Sequence, residues 1–169
     1  MAGFATGVGA HSDMFLKLDG IEGESTDQKH KNEIELHAWS YGATQPGSAG
    51  HGGGAGIGKT QVHDLTFSKF TDKASPKLFE ACTTGKHIPT VKLVCRKAGG
   101  DQQEFLKITM KEVIVSNFTQ SGSGGGTLPM DNVSLNYTSI EMEYGVQNEK
   151  GALTGSVKAG WDAAKNVKI

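Results

Sequence analysis

Proline and cysteine are both scarce in this chain of 169 residues, at four and two. Two cysteines cannot make the disulfide framework of a small secreted scaffold, so Cys82 and Cys95 read as buried thiols. No apolar run approaches the roughly 18 residues of a membrane-spanning helix. The opening stretch, MAGFATGVGAHSDMF, has no basic residue before a hydrophobic run. The expectation is a cytoplasmic product without a cleaved signal peptide or membrane insertion. Charge of one sign is lacking too: 17 Lys plus Arg stand against 18 Asp plus Glu, scattered along the chain. That leaves no basic stripe for nucleic acid.

Catalytic signals are equally sparse. The six histidines (His11, His30, His37, His51, His63 and His87) never approach one another or a cysteine at zinc-site spacing. No G-x-S-x-G elbow marks a nucleophile. The triplets beginning at Asn117, Asn132 and Asn136 match the glycosylation pattern only by chance on strands. The reading is of a non-enzyme with no catalytic residue, metal or cofactor.

What the chain has is glycine, 24 residues, about twice the usual ~7% share, and long alternating segments. Residues 1–12 are small and aperiodic, read as a flexible extension, and residues 13–169 as one domain. Strands are expected at Asp13–Leu18, at Ile34 to Tyr41, around Leu65 and Phe67, at Ile88–Lys97, at Leu106 to Phe118 and at Asn132 to Val146. Ala98–Asp101, AGGD, suits a hairpin turn. Gln120–Gly126 and Gly145–Gly155 read as turns, and Trp161 as an anchor for the tail. The one convincing helix is Ser75–Thr84, with Ser75 as N-cap, Pro76 in the first turn and Gly85 just past the end.

Three strands change their apolar face partway. Ile34, Leu36 and Ala38 give way to Trp39 and Tyr41. Leu106, Ile108 and Met110 give way to Val113 and Val115, and Val133, Leu135 and Tyr137 to Ile140, Met142, Tyr144 and Val146. One-residue bulges in long strands would do this, and long bent strands point to a mainly β fold, an antiparallel two-sheet barrel with one short flanking helix. A second cause is that half of each strand faces a neighbouring subunit. Val113, Val115, Ile140, Met142 and Tyr144 are therefore expected to include residues buried only on assembly. Lys92, Lys107, Lys111 and Glu141 alternate with apolar residues and read as a solvated sheet face, or else as the wall of a shared channel.

Gly53–Thr60, GGAGIGKT, matches the phosphate-loop pattern literally. A phosphate loop also needs a buried strand entering and a helix leaving, so that the helix N-terminus presents its amides and dipole to the phosphates. The residues before it are polar and glycine-rich, and those after it alternate as a strand does. The segment therefore reads as a long loop between strands, with a nucleotide-binding protein using Lys59 and Thr60 as the alternative.

Taken together, GES at Gly23–Ser25, KHKNEIELHAWSYG at Lys29–Gly42, KTQVHDLTFSKFTDKASPKLFEACTTGKH at Lys59–His87, VKLVCRKAGG at Val91–Gly100, LKITMKEVIVSNF at Leu106–Phe118, NVSLNYTSIEMEY at Asn132–Tyr144 and GWDAAKN at Gly160–Asn166 resemble, in order, the hemolysin-coregulated proteins (Hcp) of type VI secretion systems. The resemblance implies a β-barrel assembling as a homohexameric ring that stacks into a tube, enclosed by a contractile sheath and capped by a spike protein. Sheath contraction would propel the tube from the cell, secreting the protein, and the lumen would carry or chaperone small effector proteins. It further implies that the loop of Pro46, Gly47, His51, Gly52, Gly53, Gly54, Gly56, Gly58 and Lys59 reaches the adjacent ring. Trp39, Ser40 and Tyr41 would lie on a strand near the lumen.

Overall fold

A computed structural model describes residues 12–47, 59–97, 102–126 and 128–169. In chain order these form β1 (Ser12–Leu18), β2 (Ile34–Glu35), β3 (Ala38–Ser40), β4 (Ala43–Thr44), β5 (Gln61–Val62), β6 (Leu65–Phe70), α1 (Ala74–Thr84), β7 (His87–Lys97), β8 (Glu104–Ser121), β9 (Met130–Gln147), β10 (Leu153–Asp162) and β11 (Val167–Lys168). Of the flexible extension expected at residues 1–12, residues 1–11 lie outside the described residues and Ser12 opens β1; the AGGD turn and most of the glycine-rich loop also lie outside them.

Every pairing is antiparallel. The main sheet runs β2, β1, β7, β8, β9, and β9 then carries two partners along its far edge. Met130–Leu135 pairs with β6, and Ser139–Gln147 with β10. The segment 34–40 closes the barrel. Its Leu36 amide donates to the Met14 carbonyl of β1, while the next amide, His37, donates to Ser68 of β6. Successive amides of an extended chain point to opposite sides, so the segment sits between the two strands and seals them. The interior holds Leu16, Ile34, Leu65, Phe67, Leu78, Ile88, Val91, Leu93, Ile108, Met110, Val113, Val133 and Leu135, all shielded from water.

The face switches in β8 and β9 are present, but not as the expected one-residue bulges. Lys111 faces Ser139 and Val113 faces Tyr137, with no slip between them. Both strands turn over at the same level, where Glu112 adopts φ +49° and its carbonyl accepts the Thr138 hydroxyl at 3.4 Å. A register slip occurs further on, at Ser116, between Val115 and Asn117. The paired turnover bends the ribbon so that one half joins β6 and β3 and the other joins β7, β1 and β10.

The helix begins one residue earlier than expected, and Ser75 is not its N-cap. Asp72 Oδ1 accepts the Ala74 amide at 2.8 Å, while Ser75 turns into the protein. Gly85 ends the helix at φ +63°, as the sequence implied. Gln147 and Leu153 bound a hairpin where only a turn was expected. β10 was illegible because Leu153–Ala159 is exposed on both faces and so has no burial period.

Candidate assembly surfaces

The half of the barrel built from β3, β6, β9 and the end of β8 has two contrasting faces. Across the four strands, Ser40, Thr66, Ser134 and Asn117 stand in one row, and Ala38, Ser68, Asn132 and Thr119 in another. Not one is charged, and both rows face outward. Thr66 and Ser134 share a hydrogen bond at 3.1 Å. Between them, on the opposite face, runs the row Trp39, Phe67, Val133 and Phe118. Because neighbours in register share a face, the two rows present a hydroxyl and amide surface outward, next to one carboxylate, Asp64, which accepts from Ser116 and Asn136, and the sheet turns an aromatic surface to the core.

This separates the three lumen candidates. Ser40 is on the exposed polar surface. Trp39 and Tyr41 are half-buried, packed against the core and against each other at 6.1 Å between ring centroids. Burial pushes the Tyr41 hydroxyl and the Cys95 thiol up from their ordinary values, a hydrogen bond from Trp39 opposing the shift at Cys95. Tyr137 donates to the His63 carbonyl at 2.6 Å and is pushed up to about 12, chiefly by burial. These aromatic groups are structural donors, held protonated.

Both edges of the polar-faced sheet are open among the described residues. Ala38–Ser40 pairs only with β6, and beyond Ile114 the edge of β8 away from β9 has no partner, since β7 starts at His87. Open edges leave backbone amides and carbonyls available to another chain.

A second surface lies on the β9–β10 hairpin. Met142, Tyr144 and Val146 are 39%, 49% and 40% exposed, and Val157, opposite Tyr144, is 63% exposed. By contrast Val113, Val115 and Ile140 are already buried within one chain. The expectation that burial waits for assembly is therefore corrected for these three, because they face the barrel interior; of the five interface candidates, Met142 and Tyr144 remain exposed. On the far side of the hairpin Lys158 pairs with Glu143 at 3.3 Å, and on the neighbouring β8 Lys107 pairs with Glu104 at 3.1 Å.

Two polar clusters brace these surfaces. Lys69 and Asp131, both fully shielded, meet at 2.9 Å. Asp72 and Ser75 complete the ammonium's partners at 2.8 and 3.0 Å, while Thr71 and Gln120 donate to the other carboxylate oxygen. Ser75 also donates to Asp131. Burial alone would raise the Asp131 pKa, yet the hydrogen bonds from Ser75, Lys69, Gln120 and Thr71 hold it below the ordinary carboxylate value. The second cluster pins the loop between β1 and β2. His30 stacks on Phe15 at 4.3 Å, and its two ring nitrogens meet Glu33 and Glu104 at 2.8 and 3.1 Å. Arg96 sits over the Phe15 ring at 4.8 Å and binds Asp27 and Asp13.

The sequence reading missed the ion pair, though a signal was there. Lys69 falls in phase with Leu65 and Phe67, and Asp131 with Val133 and Leu135, which places both on the core face.

The phosphate-loop alternative finds no support. Thr60 leads into β5, paired with β4, rather than into a helix, and its hydroxyl donates to Gln45. Of the loop candidates, Pro46, Gly47 and Lys59 are described; His51, Gly52, Gly53, Gly54, Gly56 and Gly58 lie outside the described residues. Among the described residues no group of three His, Cys, Asp or Glu is placed to hold a metal ion. No described helix is long and apolar enough to cross a membrane.

Residues 15–144 match the family model described as type VI secretion system effector, Hcp. The chain is 48% identical over 158 residues to Protein hcp1 of Pseudomonas aeruginosa, covering 92% of this chain and 98% of that one. The crystal structure of Hcp1 from Salmonella typhimurium superimposes with a TM-score of 0.79 at 41% identity, covering 94% of this chain and 99% of that one. A structure described as a type six secretion system protein gives a TM-score of 0.89 at 33% identity, covering 94% and 100%.

Proposed function

Because the chain belongs to the Hcp family, whose members are tube proteins of type VI secretion systems that form hexameric rings, we propose that its polar sheet lines the bore of the tube. The two rows led by Ser40 and Ala38 carry this reading. A wall whose two rows are uncharged, and whose neighbouring carboxylate Asp64 is bound by Ser116 and Asn136, offers hydrogen bonds of modest net strength and little field. Small effector proteins of varied surface charge would pass along it or be held loosely, which suits both conduit and chaperone.

The open edges of β3 and β8 bound this sheet on opposite sides. With β3, β6, β9 and β8 alternating in direction, β8 of one copy would meet β3 of the next antiparallel. A ring closes when one surface meets a different one through a closing rotation, and these edges are two such surfaces. The loop of Pro46 to Lys59 is assigned to the contact between successive rings. On this reading a contractile sheath surrounds the stack, a spike caps it, and the protein leaves the cell with the expelled tube. Its role is mechanical rather than catalytic.

The test places a gold label on the polar face. Asn132→Cys in a Cys82→Ser background is labelled and viewed by electron microscopy. Gold in the central hole of six-fold rings is the expected result, and gold on the outer rim would overturn the assignment.

A further inference from the structure

Two exposed apolar features among the described residues lie on opposite flanks. β10 pairs along the edge of β9 that β6 also uses, so the β9–β10 hairpin shares a flank with β3. The other flank carries α1 and the unpaired end of β8. There a cleft of about 560 Å³ opens between Pro76 and Phe79 of α1 and Phe118 of β8, floored by Thr71, Ser75 and Gln120. Phe79 is 56% exposed and meets Phe118 edge to face at 5.8 Å.

The hairpin is the convex counterpart. Val157, Tyr144 and Met142 stand on one face of two paired strands and are exposed among the described residues, Met142 also receiving the Tyr41 hydroxyl at 3.3 Å. Apolar groups left in contact with water on a monomer mark an interface, and exposed aromatics beside a cleft are favoured anchors. From Tyr144 to Val133, the partner of Phe118, is eleven residues of strand, roughly 35 Å along the ribbon. One neighbouring copy therefore does not cover both features with a single patch.

We propose that in the ring the β9–β10 hairpin of each copy packs its Val157 and Tyr144 face into the Phe79–Phe118 cleft of the next copy. The proposal rests on the ring reading and adds which side-chain surface receives which. A ridge meeting a recess on the opposite flank is a head-to-tail contact, and it propagates until the ring closes. A ridge meeting its own kind would stop at a two-fold dimer.

The experiment pairs two variants, Val157→Asp, which spoils the ridge, and Phe79→Asp, which spoils the recess. Both residues are exposed, and circular dichroism checks that each variant is folded. Light scattering of the wild type should give about six times the 17.8 kDa chain mass. Each variant alone should fall to the mass of one chain. Mixed in equal amounts, they should give a heterodimer of twice the chain mass and nothing larger, since one intact ridge and one intact recess remain between them. Rings from either variant alone, or a mixture that stays monomeric while the wild type forms rings, would overturn the pairing. A monomeric wild type would instead overturn the ring reading, and the pairing with it.

Discussion

Lys69 and Asp131 form an ion pair at 2.9 Å in which neither side chain is accessible to water. It ties the end of β6 to the start of β9, and through Ser75 and Asp72 it also holds the first turn of α1. Removing one member of such a pair leaves a buried charge without compensation, which costs about 3–5 kcal/mol. Replacing both with apolar residues of similar size avoids that penalty. Urea unfolding should show Lys69→Met and Asp131→Leu each strongly destabilised, and the double variant less so than the sum of the two. Additive losses would mean that the charges act independently.

Acid should weaken the loop between β1 and β2. Hydrogen bonding to Arg96 holds the Asp27 carboxyl at about 2, against an ordinary 3.8. A carboxylate whose pKa is depressed by folding contributes stability above its unfolded value and loses it as pH falls through the folded one. The contribution is therefore complete above about pH 4 and lost on descending to about pH 2. Chemical denaturation as a function of pH should show a shallower loss across that window for Asp27→Asn than for the wild type. An unchanged slope would place the acid sensitivity elsewhere.

Gly23 has no room for a side chain. A Cβ there would lie 2.5 Å from the Glu33 carbonyl oxygen and 2.7 Å from Ile34 Cα, both backbone atoms. The Gly23 amide meanwhile donates to Asn32 at 2.8 Å, so the backbone cannot back away without losing that bond. Gly23→Ala should cost about 1–3 kcal/mol, as overpacking does. Gly124→Ala, where nothing lies within 4 Å, is the control and should sit within about 0.5 kcal/mol of the wild type, as surface changes do.

Shortening Gly52–Gly56 separates ring formation from stacking. On the reading proposed above, electron microscopy should show intact six-fold rings that no longer form tubes. Tubes of normal length from that variant would remove the loop from the stacking contact.

Local pattern carried a great deal. Alternation in Val91–Cys95, Leu106–Met110 and Val133–Tyr137 specified strands and their core faces, because one face of each is buried and the side-chain period is two. Gly85 marked the helix end, since the left-handed conformation there suits glycine. The polar run before Gly53 and the strand-like alternation after Thr60 favoured a loop between strands over a phosphate loop, and β5 bears this out. The ordered family segments carried the tube function.

Tertiary structure decided what depends on partners distant in sequence. Ser75 looks like an N-cap, but it lies inside the first turn, where its hydroxyl joins Lys69 and Asp131 and accepts the Asp72 amide, while the Asp72 carboxylate accepts the Ala74 amide. β10 has no burial pattern of its own and is a strand only because β9 offers it an edge. Val113 and Val115 are apolar in the same way as Met142 and Tyr144, yet the first pair lines the barrel and the second stands clear of it. That distinction comes from where the paired turnover at Glu112 and Thr138 bends the ribbon, a geometric event shared by two strands that neither segment's composition encodes alone.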